Sequence, residues 1–268
     1  MALFDEARWL IEPDHRRFGH VVIDEAQNLT AMELRMVVRR ARRQSLTVLG
    51  DIAQRTAEAG VSTWAGVLRD AGVHKFTTRE LRLSYRVPRD FLHVASGLPG
   101  IKPSIPEGVR RAPWPPVAVQ ARAGAVGSTT VRLAARMAQD VGSVGVVAPT
   151  ARMSQVRAAL EPMEFADAIC EALSPAINLL DLRVIKGLEF DAVVVVDPEA
   201  ILTQRPDGGV GALYTALTRS TRALAIVHID ELPAILSQAD GLQSLDGTDP
   251  ETQWASLRRE EAPIPGRS

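Results

Sequence analysis

Two adjacent carboxylates, Asp24 and Glu25, follow a short apolar run at residues 20–23 (HVVI). A carboxylate at the end of a strand can hold Mg²⁺ on the phosphates of a nucleotide, and a second carboxylate can orient and deprotonate the attacking water. Acidic residues at the end of a strand are also common where a helix follows, and Asn28 or Thr30 could cap such a helix. The pair alone leaves both interpretations open.

A second apolar run, residues 46–49 (LTVL), is followed by the segment Gly-Asp-Ile-Ala-Gln, which ends at Gln54. A Gly-Asp pair after a strand can also simply form a turn, without a functional role. When two neighbouring strands end in these ways, a metal-binding carboxylate lies beside a glutamine amide that can sense the γ-phosphate. The two segments together therefore favour a nucleotide site over two unrelated turns.

Three later segments carry further residues suited to a nucleotide. Tyr85 and Arg86 place an aromatic ring beside a cation, although they could also be a surface pair before a helix that Pro88 starts. Gly187, in the segment IKGLEF, could let the backbone approach a phosphate or could simply form a turn. Arg219 ends the segment LYTALTR, where it could stabilise a transferring phosphoryl group or complement the helix macrodipole.

The apolar periodicity predicts the elements that would position these residues. Residues 31–43 have the pattern of an amphipathic helix between the first two strands, which gives a β-α-β unit. Alternating elements follow, namely strands at 117–120, 144–148, 192–196 and 223–227 and helices at 129–139 and 151–160. This alternation predicts a second parallel sheet. Because ligands bind outside the carboxyl ends of strands in such sheets, we expect the site there.

Composition limits the class of protein. The 268 residues, of which 46% are hydrophobic and 24% charged, are enough for one large or two small globular domains. A net charge of −1 excludes a global basic field, so any contact with nucleic acid must be local. The single cysteine, Cys170, excludes a disulfide framework and a cysteine-based zinc site. No segment is typical of a secretory signal or a membrane span, so we expect a cytoplasmic protein without a membrane partner.

The ordered set VIDEAQ, LGDIAQ, LRLSYR, IKGLEFDAVVVVD and LYTALTR resembles motifs II to VI of the UvrD/Rep-type superfamily-1A DNA helicases. The similarity extends from about residue 18 to residue 229. It implies an α/β fold of RecA-like parallel sheets flanked by helices, the P-loop NTPase fold. The first RecA-like domain, residues 1–78, would be incomplete, and the second, residues 79–235, would be complete. The polar residues 236–268 would form a loose tail.

The resemblance also implies that the chain binds and hydrolyses ATP with Mg²⁺ in the company of a motif I. Asp24 would be the metal ligand and Glu25 the catalytic base. Gln27 and Gln54 would contact the γ-phosphate and the attacking water.

The later motifs would complete the same ATP site. Arg86 and Arg219 would be the two arginine fingers, and Tyr85 would stack on the adenine. The backbone of Gly187 would approach the γ-phosphate, and Glu189 would bind the ribose.

Two residues are candidates for contact with nucleic acid. Trp64 corresponds in order to the aromatic residue that stacks on a base after motif III, although it lies farther from Gln54 than in UvrD, and a core or partner-facing tryptophan is an equal alternative. UvrD-like motif V usually has Thr and His before its lysine, whereas this chain has Asp181 and Arg183 before Lys186. Arg183 is therefore the candidate for a backbone contact in this segment.

The 268 residues contain no G-x-x-x-x-G-K-[ST] sequence, which is motif I. The segment GAVGST at 124–129 lacks the lysine and follows motif IV, so it is better interpreted as a loop that caps a helix. Without the cradle of motif I, the α- and β-phosphates lose their main ligands. We therefore expect little ATPase activity from this chain alone.

Only about a hundred residues separate Arg86 from Lys186, too few for both a second RecA-like core and the 2B insertion of UvrD. This compact form resembles HelD, a helicase-like ATPase that binds stalled RNA polymerase. The implied partners are DNA, single-stranded or duplex, RNA polymerase, and an N-terminal segment that carries the P-loop. The alternative is a non-catalytic RecA-like module that binds RNA polymerase, nucleic acid or a P-loop-bearing partner.

Overall fold

The computed structural model describes residues 2–12, 17–51, 63–99, 105–163, 165–167, 173, 176–204 and 209–259. The chain divides into two compact units, Met1–Glu80 and Leu81–Ser268. We call them unit 1 and unit 2. No described helix has the length and apolar character needed to cross a membrane.

Unit 1 is a β-α-β arrangement, as the sequence predicts. Its strands β1 (Val21–Ile23) and β2 (Leu46–Val48) are parallel and are connected through helix α2 (Ala31–Val38), with α1 (Ala2–Ile11) before them and α3 (Trp64–Asp70) after them. Helix α2 is shorter than predicted. The helix ends at Val38. Shortly after it, Ala41 forms a parallel bridge with Phe18, and the N–H of Phe18 donates to the carbonyl of Arg40.

The residue that caps α2 is Thr30. The hydroxyl of Thr30 accepts from the N–H of Glu33, while the Glu33 carboxylate accepts from the N–H of Thr30, which is a capping box. The hydrogen bond from the Thr30 backbone lowers the pKa of Glu33. This cap fixes where α2 begins and leaves the preceding residues free to form a separate turn.

Unit 2 contains a sheet of seven strands that are all parallel. Its elements are β3 (Leu83–Ser84), α4 (Arg89–Ser96), β4 (Glu107–Gly108), β5 (Val117–Gln120), α5 (Val126–Val141), β6 (Val144–Val147), α6 (Thr150–Leu160), β7 (Phe165–Asp167), β8 (Ile177–Leu180), β9 (Phe190–Val196), α7 (Pro198–Gln204), α8 (Gly209–Leu217), β10 (Ser220–His228), α9 (Ala234–Ser237), β11 (Gln243–Asp246) and α10 (Pro250–Ser256). The strand order is β11-β5-β10-β9-β6-β8-β7, and β3 pairs with β4 in a separate small sheet.

The central strands of unit 2 are buried along nearly their whole length, because both faces of the sheet are covered, and they are mostly apolar. Every residue of β6 and β8 is buried, and in β9 all are buried except Asp191, which is partly exposed. Such continuous apolar runs are typical of parallel sheets with helices on both faces. The predicted α/β class and the four predicted strands of this unit are confirmed.

The expectation of a loose tail over residues 236–268 is wrong for the part that the structure describes. Strand β11 pairs with β5 at the edge of the sheet, and α10 packs against α5. Trp254 of α10 stacks on Trp114, with ring centroids 5.0 Å apart and an interplanar angle of 11°. Arg259 donates to Asp90 at 2.8 Å. The polar composition of this segment gave no apolar pattern for either element. The strand β11 is held by backbone hydrogen bonds, and the helix α10 is held mainly by one aromatic ring.

Candidate functional site

Glu25 has a conformation that few residues other than glycine adopt. Directly after β1 its φ is 51° and its ψ is 34°, in the left-handed region. Its Oε2 accepts from Nε2 of Gln27 at 2.7 Å and from Nδ2 of Asn28 at 3.3 Å. A left-handed non-glycine residue costs about 1–3 kcal/mol and persists at functional sites where the surroundings hold it. Two side-chain amides therefore fix the direction of this carboxylate.

Asp24 lies at the exposed end of β1. One of its oxygens, Oδ1, accepts from the N–H of Glu25 at 2.8 Å. The described part of the chain has no group of three His, Cys, Asp or Glu side chains that could hold a metal by themselves. Mg²⁺ is commonly bound by one or two carboxylates together with substrate phosphates, so a single carboxylate in this position fits a metal that arrives with a nucleotide.

Gln27 connects the ends of the two strands of unit 1. The residue is buried, and its Oε1 accepts from the N–H of Asp51 at 3.2 Å while its Nε2 donates to Glu25. Its amide is therefore engaged on both sides. A contact between Gln27 and a γ-phosphate, as the sequence predicts, requires it to exchange one of these partners. In this arrangement Gln27 positions Glu25.

Gly50 leaves the space that this amide occupies. A Cβ at residue 50 would lie 2.3 Å from Oε1 of Gln27 and 2.9 Å from the Trp64 ring. Gly50→Ala is therefore expected to displace both side chains and to lower the free energy of unfolding of unit 1 by about 1–3 kcal/mol, as overpacking does. Gly19→Ala is the matched control, since a Cβ there meets nothing within 4 Å. Urea denaturation with equal midpoints for the two variants would contradict this packing.

Trp64 lies at the start of α3 and packs, partly buried, against the apolar core of unit 1. Its ring also lies near Gly50. The structure thus favours the core alternative for this residue, and its contact with nucleic acid stays a prediction. Gln54, the predicted water contact, lies outside the described residues.

In unit 2, three segments that are far apart in sequence meet at the amino ends of strands. Nη1 of Arg86 lies 3.4 Å from Oε2 of Glu189, directly before β9. The backbone carbonyl of Arg219, directly before β10, accepts from the N–H of Phe190 at 3.0 Å, and its side-chain Nη1 donates to the carbonyl of Leu188 at 3.5 Å. The segments that resemble motifs IV, V and VI are therefore neighbours within this unit.

This location corrects one expectation. The site was expected at the carboxyl ends of strands, which holds for Asp24 and Gly50 in unit 1. In unit 2, Glu189 and Arg219 instead precede their strands. The reason is topological. Strands β8 and β9 are both parallel to β6, so the segment that connects them must return along the sheet from the carboxyl end of β8 to the amino end of β9. The last residues of this connecting segment, including Glu189, therefore lie at the amino ends of the strands.

Tyr85 and Gly187 have the exposure and the conformation that their predicted roles need. The Tyr85 side chain is 70% exposed, so a ring face is open to a base. Gly187 has a φ of 74°, and a Cβ there would meet nothing within 4 Å. This left-handed residue keeps its backbone accessible, which is the condition for close approach of a phosphate. Contact of these two residues with a nucleotide stays a prediction.

Arg219 is placed differently from a free arginine finger. It is only 2% exposed, and its Nε donates to the carbonyl of Thr215 at 3.3 Å. A finger must direct its N–H groups at a phosphate. Arg219 would have to exchange carbonyl partners for phosphate oxygens to do this, whereas Arg86, with a side chain that is 47% exposed, could reach a phosphate with less rearrangement.

Arg110 belongs to this cluster although no sequence pattern singles it out. Its Nε donates to the carbonyl of Tyr85 at 3.0 Å, and its Nη2 donates to the carbonyls of Arg86 and Thr221 at 2.5 Å. Burial, and then the nearby charge of Arg222, lower the pKa of Arg110. One guanidinium thus fastens the Tyr85 segment to the start of β10. Because the chain contains many arginines, no sequence pattern distinguishes the one that has this role.

Arg183 is exposed but paired. Its backbone N–H and its guanidinium both donate to the buried carboxylate of Asp181, at 2.7 Å to 3.2 Å. The hydrogen bond to Asp181 raises the pKa of Arg183. Asp181 and Arg183 therefore stabilise their own turn. Contact of Arg183 with nucleic acid stays a prediction.

Residues 178–227 match the model of the family described as UvrD-like helicase C-terminal domain, a segment that includes β9, α7, α8 and nearly all of β8 and β10. The chain has no match among curated proteins. A similar solved structure is the C-terminal domain of a possible DNA helicase from Lactobacillus plantarum WCFS1, with 19% identity, coverage of 61% of this chain and 99% of that chain, and a TM-score of 0.47.

Proposed function

We propose that this chain supplies the base and arginine side of an ATP-driven motor of the UvrD-like helicase type. The observation that carries the proposal is the convergence of motifs IV, V and VI in unit 2, where Arg86 pairs with Glu189 and Arg219 contacts Leu188. The match of residues 178–227 to a UvrD-like helicase domain covers two of these three motifs and supports the assignment.

The residues of the chain divide the work on ATP. By the resemblance, Tyr85 and Glu189 would hold the nucleoside, and Asp24 would hold the magnesium ion that accompanies the phosphates. Glu25, directed by Gln27, would take the proton of the attacking water, and Gln54 would orient that water. Arg86 and Arg219 would neutralise charge on the phosphoryl group, and the backbone of Gly187 would approach it. Bound Mg²⁺·ATP supplies the phosphoryl group and the charge that these residues recognise.

An N-terminal P-loop segment that carries motif I completes this site in the proposed motor, because the 268 residues contain none. DNA is the proposed track. The compact connection between Arg86 and Lys186 supports a HelD-like form, for which RNA polymerase is the proposed partner.

Hydrolysis of ATP after complementation tests the proposal. The purified chain is expected to hydrolyse ATP at background rate. A recombinant N-terminal portion of a UvrD-type helicase, ending after its motif I, should raise the rate at least tenfold, and single-stranded DNA should raise it further. The same portion with its P-loop lysine changed to alanine is the control. Equal rates with the two portions would contradict a shared ATP site.

A non-catalytic binding module is the second candidate. The burial of Arg219 against carbonyl groups favours it, since a guanidinium in that state is bonded within its own unit. In that case the chain would bind DNA or RNA polymerase in pull-down assays with equal affinity in the presence and absence of ATP. A change in affinity of tenfold or more on adding ATP and the motif I portion would exclude this candidate.

A further inference from the structure

The guanidinium of Arg110 bonds to main-chain carbonyls from two distant segments. In the described part of the chain it makes three hydrogen bonds, to the carbonyls of Tyr85, Arg86 and Thr221. None of these partners is a carboxylate. Burial and the nearby charge of Arg222 both act against the charged form of Arg110. A cation in this position is therefore not explained as one half of an ion pair, and the segments that it joins indicate its role.

One of these segments contains a β-bulge at the start of β10. The register of β10 with β9 shifts between Ser220 and Ala223, so that β10 has one extra residue there. The register of β10 with β5 begins only at residue 225. Thr221 therefore lies outside both ladders, and its carbonyl needs a partner from elsewhere, which Arg110 supplies. Bulges are common beside active sites, and this one begins directly after Arg219.

The main chain around Arg110 is itself fixed. Its carbonyl accepts from the N–H of Arg89 at 2.9 Å, and the N–H of Ala112 donates to the carboxylate of Asp90 at 2.9 Å. Gly108 in β4 permits this close approach, because a Cβ there would lie 2.4 Å from the Cα of Arg89. Arg110 thus extends from a support that is formed by β4 and the first turn of α4.

We infer that Arg110 is a positioning residue that couples the segment of Tyr85 and Arg86 to the start of β10, beside Arg219. The inference rests on the proposed function, in which Tyr85 contacts the nucleoside and the two arginines contact the phosphoryl group. One planar guanidinium that binds two successive carbonyls fixes the direction in which both side chains leave the main chain. The three contacts with ATP therefore keep a fixed spacing within unit 2.

The role requires the shape of a guanidinium and not only its charge. The Nε and Nη2 atoms of Arg110 reach carbonyls of both segments at once. Lysine has the same charge, but its single ammonium group does not have this planar set of donors. Arg110→Lys therefore separates the hydrogen-bond geometry from the charge. Arg111→Lys is the matched control, because Arg111 is the adjacent arginine and is exposed.

Hydrogen exchange of the chain alone tests the coupling without a nucleotide. Arg110→Lys should raise the exchange rates of peptides 82–89 and 219–224 about tenfold, because local opening of both segments becomes easier. Peptides from β6 and from the carboxyl half of β9 should exchange as in the parent chain, and Arg111→Lys should change none of these rates. Unchanged exchange of peptide 82–89 in Arg110→Lys overturns the inference. A raised rate in every peptide of unit 2 also overturns it, since Arg110 would then serve general stability.

Kinetics of the motor completed with a motif I segment test the effect on the reaction. Arg110→Lys should raise KM for ATP and lower kcat, and kcat/KM should fall about 10- to 100-fold, as when reacting groups are misplaced by about 1 Å. A smaller fraction of folded protein would lower kcat and leave KM unchanged, so the change in KM identifies positioning. An unchanged kcat/KM, or an equal fall in Arg111→Lys, overturns the inference. If the parent motor is inactive while peptides 82–89 and 219–224 respond as expected, the proposed function fails and the coupling stands.

Discussion

Replacing Trp254 by alanine is expected to lower the free energy of unfolding of unit 2 by about 3–5 kcal/mol, the usual cost of removing a buried tryptophan. Trp254 has no exposed surface and stacks on Trp114, which is only 1% exposed. The substitution removes an aromatic contact and leaves a cavity beside Trp114, where α10 packs on α5. Pro250 then remains as the one buried residue of α10, so the helix should detach.

The variant Trp254→Phe separates packing from the cost of the indole N–H. Neither indole nitrogen of the pair has a hydrogen-bond partner in the described structure. A buried donor without a partner costs about 1–3 kcal/mol, so phenylalanine loses contact area but also removes this cost. We therefore expect Trp254→Phe to be destabilised by less than about 1.5 kcal/mol, because the smaller ring leaves only a small cavity.

Chemical denaturation monitored by far-ultraviolet circular dichroism measures both variants, and near-ultraviolet spectra report loss of the stacked pair. If Trp254→Ala unfolds at the same denaturant concentration as the parent chain, α10 does not belong to the folded core. If the two variants are destabilised equally, the difference in stability does not depend on the aromatic ring at residue 254, and the stacked pair does not hold α10.

The same region shows what the sequence can and cannot reveal about the fold. Strands β9 and β10 were predictable because burial on both faces leaves a continuous apolar signature. Strand β11 was not, because its residues are mostly exposed and its place depends on backbone bonds to β5. An edge strand of this kind differs little in composition from a loop. The helix after it is marked by a single anchor, Trp254.

The candidate site divides in a similar way. Residues with a local signature, such as Asp24 and Glu25 after β1, lie where the apolar run ends, as the sequence indicates. The contacts that connect distant segments have no local signature. Arg110 joins Tyr85 and Thr221 across the fold, and Gln27 joins Glu25 and Asp51. These partners are brought together only by the three-dimensional structure. Sequence patterns therefore predict the candidate reactive residues better than the residues that position them.

Replacing Glu25 by glutamine is expected to have the largest effect on activity. In the motor completed with a motif I polypeptide, Glu25→Gln should lower kcat about 10²- to 10⁴-fold, the usual contribution of a general base. Glutamine has nearly the same shape but cannot accept the proton of the attacking water. The affinity for ATP should change less than threefold, because the role proposed for Glu25 is in the reaction and not in holding the nucleotide.

Two further variants make this result specific to the base and its support. Gln27→Ala should give an intermediate loss of kcat, since it removes the 2.7 Å hydrogen bond that directs Glu25 but leaves the carboxylate in place. Glu12→Gln, which changes an exposed carboxylate of the same unit, should leave kcat unchanged. A Glu25→Gln motor that keeps more than about a tenth of the parental kcat would exclude Glu25 as the base.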